Sequence, residues 1–285
     1  MPILLYGIVA LAYAGLALHF WRTRWTASSA QHRAPDVAPW ERIAILGPLL
    51  VHSWLLYQAL FATAELRFGF GFALSCMLWL AVLIYWLESL FVKVEGLQAL
   101  VLGVAAVCAP LPALFPGIPT PPDSQSLEFR LHMALAMLAY SLFTIAALHA
   151  MLMTLVERRL HHRGAGHTAE GPLAGPLAGL PPLLTLERLL FRLIGLGFAL
   201  LTLTLATGML NSEEIFGKPI SFNHKTLFAV ISWFIFAALL GGRYLYGWRG
   251  RVALRWTLAG FVTLLLAYVG SRFVLEVILK RGSLI

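Results

Sequence analysis

Long apolar runs, broken by short polar or Pro/Gly-rich stretches, make up most of the chain, with no sustained two-residue alternation. Eight runs, at residues 2–20, 43–62, 70–88, 97–115, 130–155, 189–210, 225–246 and 253–278, reach or approach the roughly 18 to 20 residues that cross a hydrocarbon core about 30 Å thick. Each is too long for a barrel strand and lacks a barrel's alternation, so helices are predicted. The pattern predicts an all-α polytopic membrane bundle of about eight transmembrane helices, forming a single domain over residues 1–285. Residues 161–182, HHRGAGHTAEGPLAGPLAGLPP, are of low complexity, and residues 157–187 are predicted to form a flexible loop.

Composition supports this reading. Sixty per cent of the 285 residues are hydrophobic and 12% charged, against about 25% charge in an ordinary soluble domain. The net charge of +8, from 21 Lys and Arg against 13 Asp and Glu, is explained by basic loops on one membrane face rather than by a nucleic-acid partner. Arg22, Arg24 and Arg33 follow the first run, Arg158, Arg159 and Arg163 the fifth, and Arg249, Arg251 and Arg255 the seventh. The loops after the second, fourth and sixth runs are poor in basic residues and carry Glu65, Asp123, Glu213 and Glu214. Both termini are therefore expected outside the cytoplasm, although Lys280 and Arg281 run against that assignment. The first run lacks a basic leader and a small-residue cleavage site and reads as a retained helix. Cys76 and Cys108 stand singly in apolar runs and read as small buried hydrophobes.

This topology assigns a depth to each histidine. His132 opens the fifth run and His224 precedes the seventh, so both are expected at the extracytoplasmic face. His52 sits in the middle of the second run, where a polar group is costly unless paired or used. His149 lies about 26 Å deeper than His132 along its helix and cannot share a site with it. Arg272 stands in the eighth run at about the level of the outer histidines, and its ordinary roles would be snorkelling to the interface or pairing with Glu276. Taken singly, each histidine is more often structural than functional. Together, two outer imidazoles, a mid-membrane imidazole and an arginine at matching depth suit axial ligation of a porphyrin with a cation for its propionates. Zinc is the weaker alternative, because no Cys or carboxylate stands at ligand spacing beside these residues.

Residues 132–152, HMALAMLAYSLFTIAALHAML, resemble the His-initiated helix of the cytochrome c assembly superfamily that includes the CcsA, CcmC and HemX-like proteins. TLERLLFRLIGLGFALLTLTLATGML, HKTLFAVISWFIFAALLGGRYLYGWRGRVALRWTLAGF and LAYVGSR extend the similarity and place the chain nearest the YpjD-type branch. The superfamily's external segment, WxWDPKxTWAxxTW, falls without gaps on ISFNHKTLFAVISW. Ile220 and Phe222 replace tryptophans, Asn223 the aspartate and His224 the proline, while Lys225, Ala229 and Trp233 persist. The first histidine flanking that segment in the family corresponds to His132, and the second has no counterpart after residue 272. Of the two membrane-embedded histidines of the full-length synthetases, the first corresponds to His52 and the second falls near Gly241 or Tyr244 and is lost.

The resemblance implies a protein of the bacterial inner membrane that binds or handles heme b near the extracytoplasmic face. His132 and His224 are the expected iron ligands and His52 a deeper relay ligand. Arg272 is expected at a propionate, with Trp233 and Tyr140 as further cofactor-binding residues. The degenerate tryptophan segment argues against holocytochrome c synthetase activity and leaves no catalytic residue to name. Membrane lipid, heme and other membrane or cytochrome c assembly proteins are the partners implied. Two other readings remain open: a non-catalytic accessory subunit that has lost heme and assists another membrane protein, and a b-type cytochrome exchanging electrons with quinone.

Overall fold

The computed structural model describes residues 2–25, 38–61, 67–91, 96–119, 127–163, 183–210 and 224–279. Helices α1 (Pro2–Phe20), α2 (Pro39–Phe61), α3 (Phe70–Phe91), α4 (Leu97–Cys108), α5 (Leu111–Leu114), α6 (Leu127–Arg163), α7 (Leu183–Leu210), α8 (His224–Tyr246) and α9 (Gly250–Leu265) follow in order. A π turn, Trp21–Trp25, ends α1, and α9 continues through π turns at Leu266–Gly270 and Val274–Ile278. The two-residue strands β1 (Arg67–Phe68) and β2 (Ile118–Pro119) pair antiparallel. Among the described residues, seven helical stretches are long and apolar enough to cross a membrane. The remaining predicted span forms α2, a 23-residue helix.

Several boundaries differ from the apolar runs for visible reasons. The run 97–115 breaks at Ala109–Pro110 into α4 and α5, since proline disfavours helix at the preceding residue and donates no N–H. Helix α6 continues to Arg163 and α7 starts at Leu183, so the flanks of the predicted 157–187 loop are helical. Two of the polar residues in those extensions have ionic partners: Glu157 accepts from Arg251 at 3.0 Å, and Glu187 pairs with Arg243. Residues 164–182, with His167, lie outside the described set, as do Glu65, Asp123, Glu213 and Glu214.

The core is organised around α6, whose stretch Ala139–Ala150 is buried throughout. At its centre Phe143 stacks on Phe236 of α8, with centroids 3.9 Å apart and planes 17° from parallel. Each ring is backed by a glycine. A Cβ on Gly197 of α7 would stand 3.1 Å from Phe143, and one on Gly260 of α9 would stand 2.8 Å from Phe236. Four helices thus meet through two rings and two bare backbones, the small-residue packing that membrane helices use where no hydrophobic force draws them together.

Hydrogen bonds fix the register around this pair. Tyr140 donates its hydroxyl to the Leu264 carbonyl at 2.8 Å, and Ser232 donates to the Gly260 carbonyl at 2.9 Å. On the other side of the bundle, the indoles of Trp79 and Trp86 donate to the carbonyls of Leu49 and Arg42, tying α3 antiparallel to α2. The α8–α9 turn is closed by Gly247 and Trp248 N–H bonds to the Arg243 and Gly242 carbonyls, with Gly247 at φ 67. This is the left-handed C-cap that glycine accommodates most readily. Gly260→Ala is expected to cost about 1–3 kcal/mol by overpacking the aromatic pair, read as a lower midpoint in denaturant titration of the detergent-solubilised protein, whereas Gly195→Ala, with open space at its Cβ, should leave the midpoint unchanged.

Candidate functional site

Depth in the bundle follows from the register bonds. His132 and His224 lie outward from the Phe143–Phe236 stack along α6 and α8 by about 16 and 18 Å at the α-helical rise. From the Tyr140–Leu264 bond, His132 on α6 and Arg272 beyond α9 are each about 12 Å away in the same direction. The three side chains therefore share one end of the bundle, within about one helical turn of each other in depth. We call this the histidine end, and the opposite one the linker end.

His132 is held in a defined form. Its Nδ1 lies 3.0 Å from Thr207 Oγ1 on α7, and that hydroxyl directs its own proton to the Leu203 or Thr204 carbonyl. With the hydroxyl so engaged, the threonine oxygen can accept from Nδ1–H, the tautomer that leaves a lone pair on Nε2. The ring lies against Gly208, where a Cβ would stand 3.0 Å from Cε1. A larger residue at 208 would displace it.

His224 opens α8 and is exposed. The segment before it, residues 211–223, is outside the described set, so the Ile220, Phe222 and Asn223 replacements have no structural account. Beside it, Lys225 Nζ stands 6.0 Å from the Tyr268 ring centre, and the Arg272 guanidinium carbon 5.8 Å from the same ring. Two cations thus share one aromatic ring. Arg272 Nε is buried without a hydrogen-bond partner, and among the described residues no ion pair within 4.0 Å joins Arg272 to Glu276.

The other predicted residues are placed elsewhere. His52 is fully buried, with Nε2 2.8 Å from Ser75 Oγ and Nδ1 3.5 Å from the Tyr13 hydroxyl. Ser75 donates onward to the Ala109 carbonyl, so both nitrogens of His52 are engaged inside α1, α2 and α3. One turn outward, Leu56 joins Phe72 and Met137 in an apolar cluster that also touches Met133 and Tyr268. Tyr140 spends its hydroxyl on Leu264. Trp233 donates its indole N–H to Thr202 at 2.9 Å and packs on Phe198, about 13 Å below His224. His149 is fully buried, with Nδ1 on the Ile145 carbonyl and Nε2 unpartnered. Cys76 is partly buried and Cys108 buried, both as free thiols.

Sequence reasoning did not identify Thr207, Gly208 or Tyr268 as part of the site. A threonine and a glycine in an apolar helix are common and carry no ligand signature, so only their contacts reveal the role. Among the described residues no group of three or more His, Cys, Asp or Glu side chains is arranged to hold a metal ion.

The linker end carries a different polar cluster. Glu41 Oε2 accepts from Arg24 and from the Ala38 N–H, both at 2.8 Å, while Oε1 meets His19 Nε2 at 2.8 Å. Arg24 and Glu41 are each only 4% exposed. This buried pair joins the end of α1 to the start of α2.

The bundle and its polar ends define a polytopic helical membrane protein with titratable groups gathered at its two ends. The family model described as cytochrome C assembly protein matches residues 43–279, and the chain belongs to that family. It is 34% identical over 147 residues to the inner membrane protein YpjD of Escherichia coli (strain K12), covering 52% of each chain. It is also 34% identical over 171 residues to an uncharacterized 28.8 kDa protein of Azospirillum brasilense, covering 60% of this chain and 58% of that one. A cytochrome c biogenesis protein CcsA from Gloeobacter violaceus is 38% identical over 100 residues, 35% of this chain and 30% of that one. The chain thus spans about half the length of the curated relatives it matches. No solved structure matches it.

Truncating Glu41 to Ala would remove the carboxylate that faces the buried Arg24 and is expected to destabilise the protein by about 3–5 kcal/mol. The double variant Arg24→Met/Glu41→Leu should recover most of that loss, as measured by the denaturation midpoint in one detergent.

Proposed function

We propose that the protein binds or handles heme b at its histidine end, where His132 and His224 would hold the iron and Arg272 would meet a propionate. The observation that carries this reading is the common depth of the two imidazoles and the guanidinium, together with the contact between His132 Nδ1 and Thr207. An imidazole whose Nδ1–H is donated to a fixed acceptor presents Nε2 to a metal in a set orientation, the outer-shell arrangement found around ligating histidines. Thr207 would supply that orientation, and Gly208 the space for the ring. Arg272 offers an unpartnered buried Nε–H to an anion, and Lys225 adds a second positive charge beside Tyr268. Bound there, heme would contribute an iron centre with exchangeable ligands and reversible oxidation state. Neutral imidazole is the ligating form, so acid should weaken the binding.

The relatives' names support the same direction, since one is a cytochrome c biogenesis protein and another an inner membrane protein. We place this chain in a bacterial inner membrane with the histidine end extracytoplasmic and both termini outside. Support comes from the basic residues at the linker end, including Arg24, Arg243, Arg249 and Arg251, as the positive-inside rule requires. Other assembly proteins are the partners this reading implies, with lipid as the surrounding solvent.

The test is the absorption spectrum of detergent-purified protein supplemented with hemin. A Soret band is expected for the wild type, with loss or marked weakening in His132→Ala and little change in His149→Ala. No Soret band in folded wild type, or equal bands in all three proteins, would overturn the proposal. Thr207→Val, which keeps the shape but removes the acceptor, should weaken heme retention by about tenfold, in line with other outer-shell changes.

A further inference from the structure

The two cations beside Tyr268 have a carboxylate for company. Lys225 of α8 and Tyr268, Arg272 and Glu276 beyond α9 are all half-buried, and the charged groups that act on Glu276 are Arg272 and Lys225. Lys225 in turn feels Arg272 and Glu276. Glu128 and Arg130, opposite in sign at the start of α6, are exposed. The half-buried group therefore holds two positive charges and one negative, a net charge of one positive unit.

The carboxylate is fixed in place. Glu276 stands on the second π turn, Val274–Ile278, and its side chain faces the backbone N–H of Phe70, the first residue of α3. It packs on Gly69, where a Cβ would stand 2.6 Å from Oε2. The unpaired N–H groups and the dipole of a helix N-terminus favour an anion at that position. Held there, Glu276 compensates the cations through space without closing on Arg272. Glu276 Oε1 and Arg272 Nε are accordingly both buried without a hydrogen-bond partner.

In a half-buried setting an added anion is favoured while it cancels charge and opposed once it exceeds it. One further carboxylate would bring this group to neutrality, and a second would leave it negative. Heme carries two.

We propose that Glu276 determines how many porphyrin carboxylates the histidine end accepts: with Lys225 and Arg272 it sets a net charge that takes one propionate and leaves the other to water. This rests on the heme reading above and sharpens it. A ligand held through one carboxylate leaves more readily than one held through two, which suits a protein that passes heme on.

The experiment is Soret titration of the full-length detergent-purified protein with hemin, hemin monomethyl ester and hemin dimethyl ester. The wild type should bind the first two equally and the dimethyl ester about tenfold more weakly, the scale of one hydrogen bond between charged groups. Glu276→Gln keeps an acceptor for Phe70 but removes the charge, and should bind hemin about tenfold more tightly than the monomethyl ester. Lys225→Gln should bind all three alike. The double variant Lys225→Gln/Glu276→Gln, which again carries one net positive charge, should regain the wild-type preference, a recovery that a purely structural role would not produce. Helical circular dichroism checks that each variant is folded. A wild type that takes up hemin but ranks the esters otherwise, or a folded double variant that does not regain the preference, would overturn the role of Glu276 and leave the heme reading standing. No Soret band with any of the three would overturn both.

Discussion

The fold depends on the contact between Phe143 and Phe236 and on the glycines behind them. In hydrocarbon there is no hydrophobic force to press helices together, so association depends on close packing. Gly197 and Gly260 let α7 and α9 approach the two rings closely enough for α6 to 9 to share one centre. A side chain at either glycine would push a helix outward. Because the rings stack with little latitude, the pair also fixes how far each helix has slid along its neighbours. The Tyr140 and Ser232 hydrogen bonds secure that alignment from α6 and α8 onto α9.

The site follows from this register. Histidines 92 positions apart in sequence come to one end of the bundle only because their helices are aligned at the centre. Sliding α8 by one turn would remove His224 from the level of His132 and Lys225 from Tyr268. The bilayer accounts for the rest of the polar distribution. Among the described residues, the buried charged groups Arg24, Glu41 and Glu187 lie towards helix ends, and Glu41 is satisfied by Arg24, His19 and a backbone N–H. The mid-membrane His52 is tolerated because both its nitrogens are engaged.

Much of the architecture was legible in the sequence because the bilayer leaves so few solutions. Apolar runs of sufficient length had to be helices, and seven of the eight recur as apolar spanning stretches. Ends were less legible. Helices α6 and α7 outrun their apolar windows because Glu157 and Glu187 find arginines on other helices, which no local pattern reveals. The depth of His132, Arg272 and His224 was readable by counting residues along helices. Which way a side chain faces was not: His52, Tyr140 and Trp233 look like site residues by depth or resemblance, yet each turns its polar atom towards a neighbouring helix. Thr207 and Tyr268, which hold His132 and Arg272, carry no sequence signal at all.

The account stands or falls on whether residues 132 and 224 act together on one metal centre. Low-temperature electron paramagnetic resonance of the ferric, heme-loaded protein addresses this directly. A low-spin spectrum of the two-imidazole type is predicted for the wild type, changing to high spin when either His132 or His224 is replaced by alanine and persisting when His149 is replaced. A spectrum that stays low-spin in His224→Ala, or a folded wild type that takes up no heme, would contradict it.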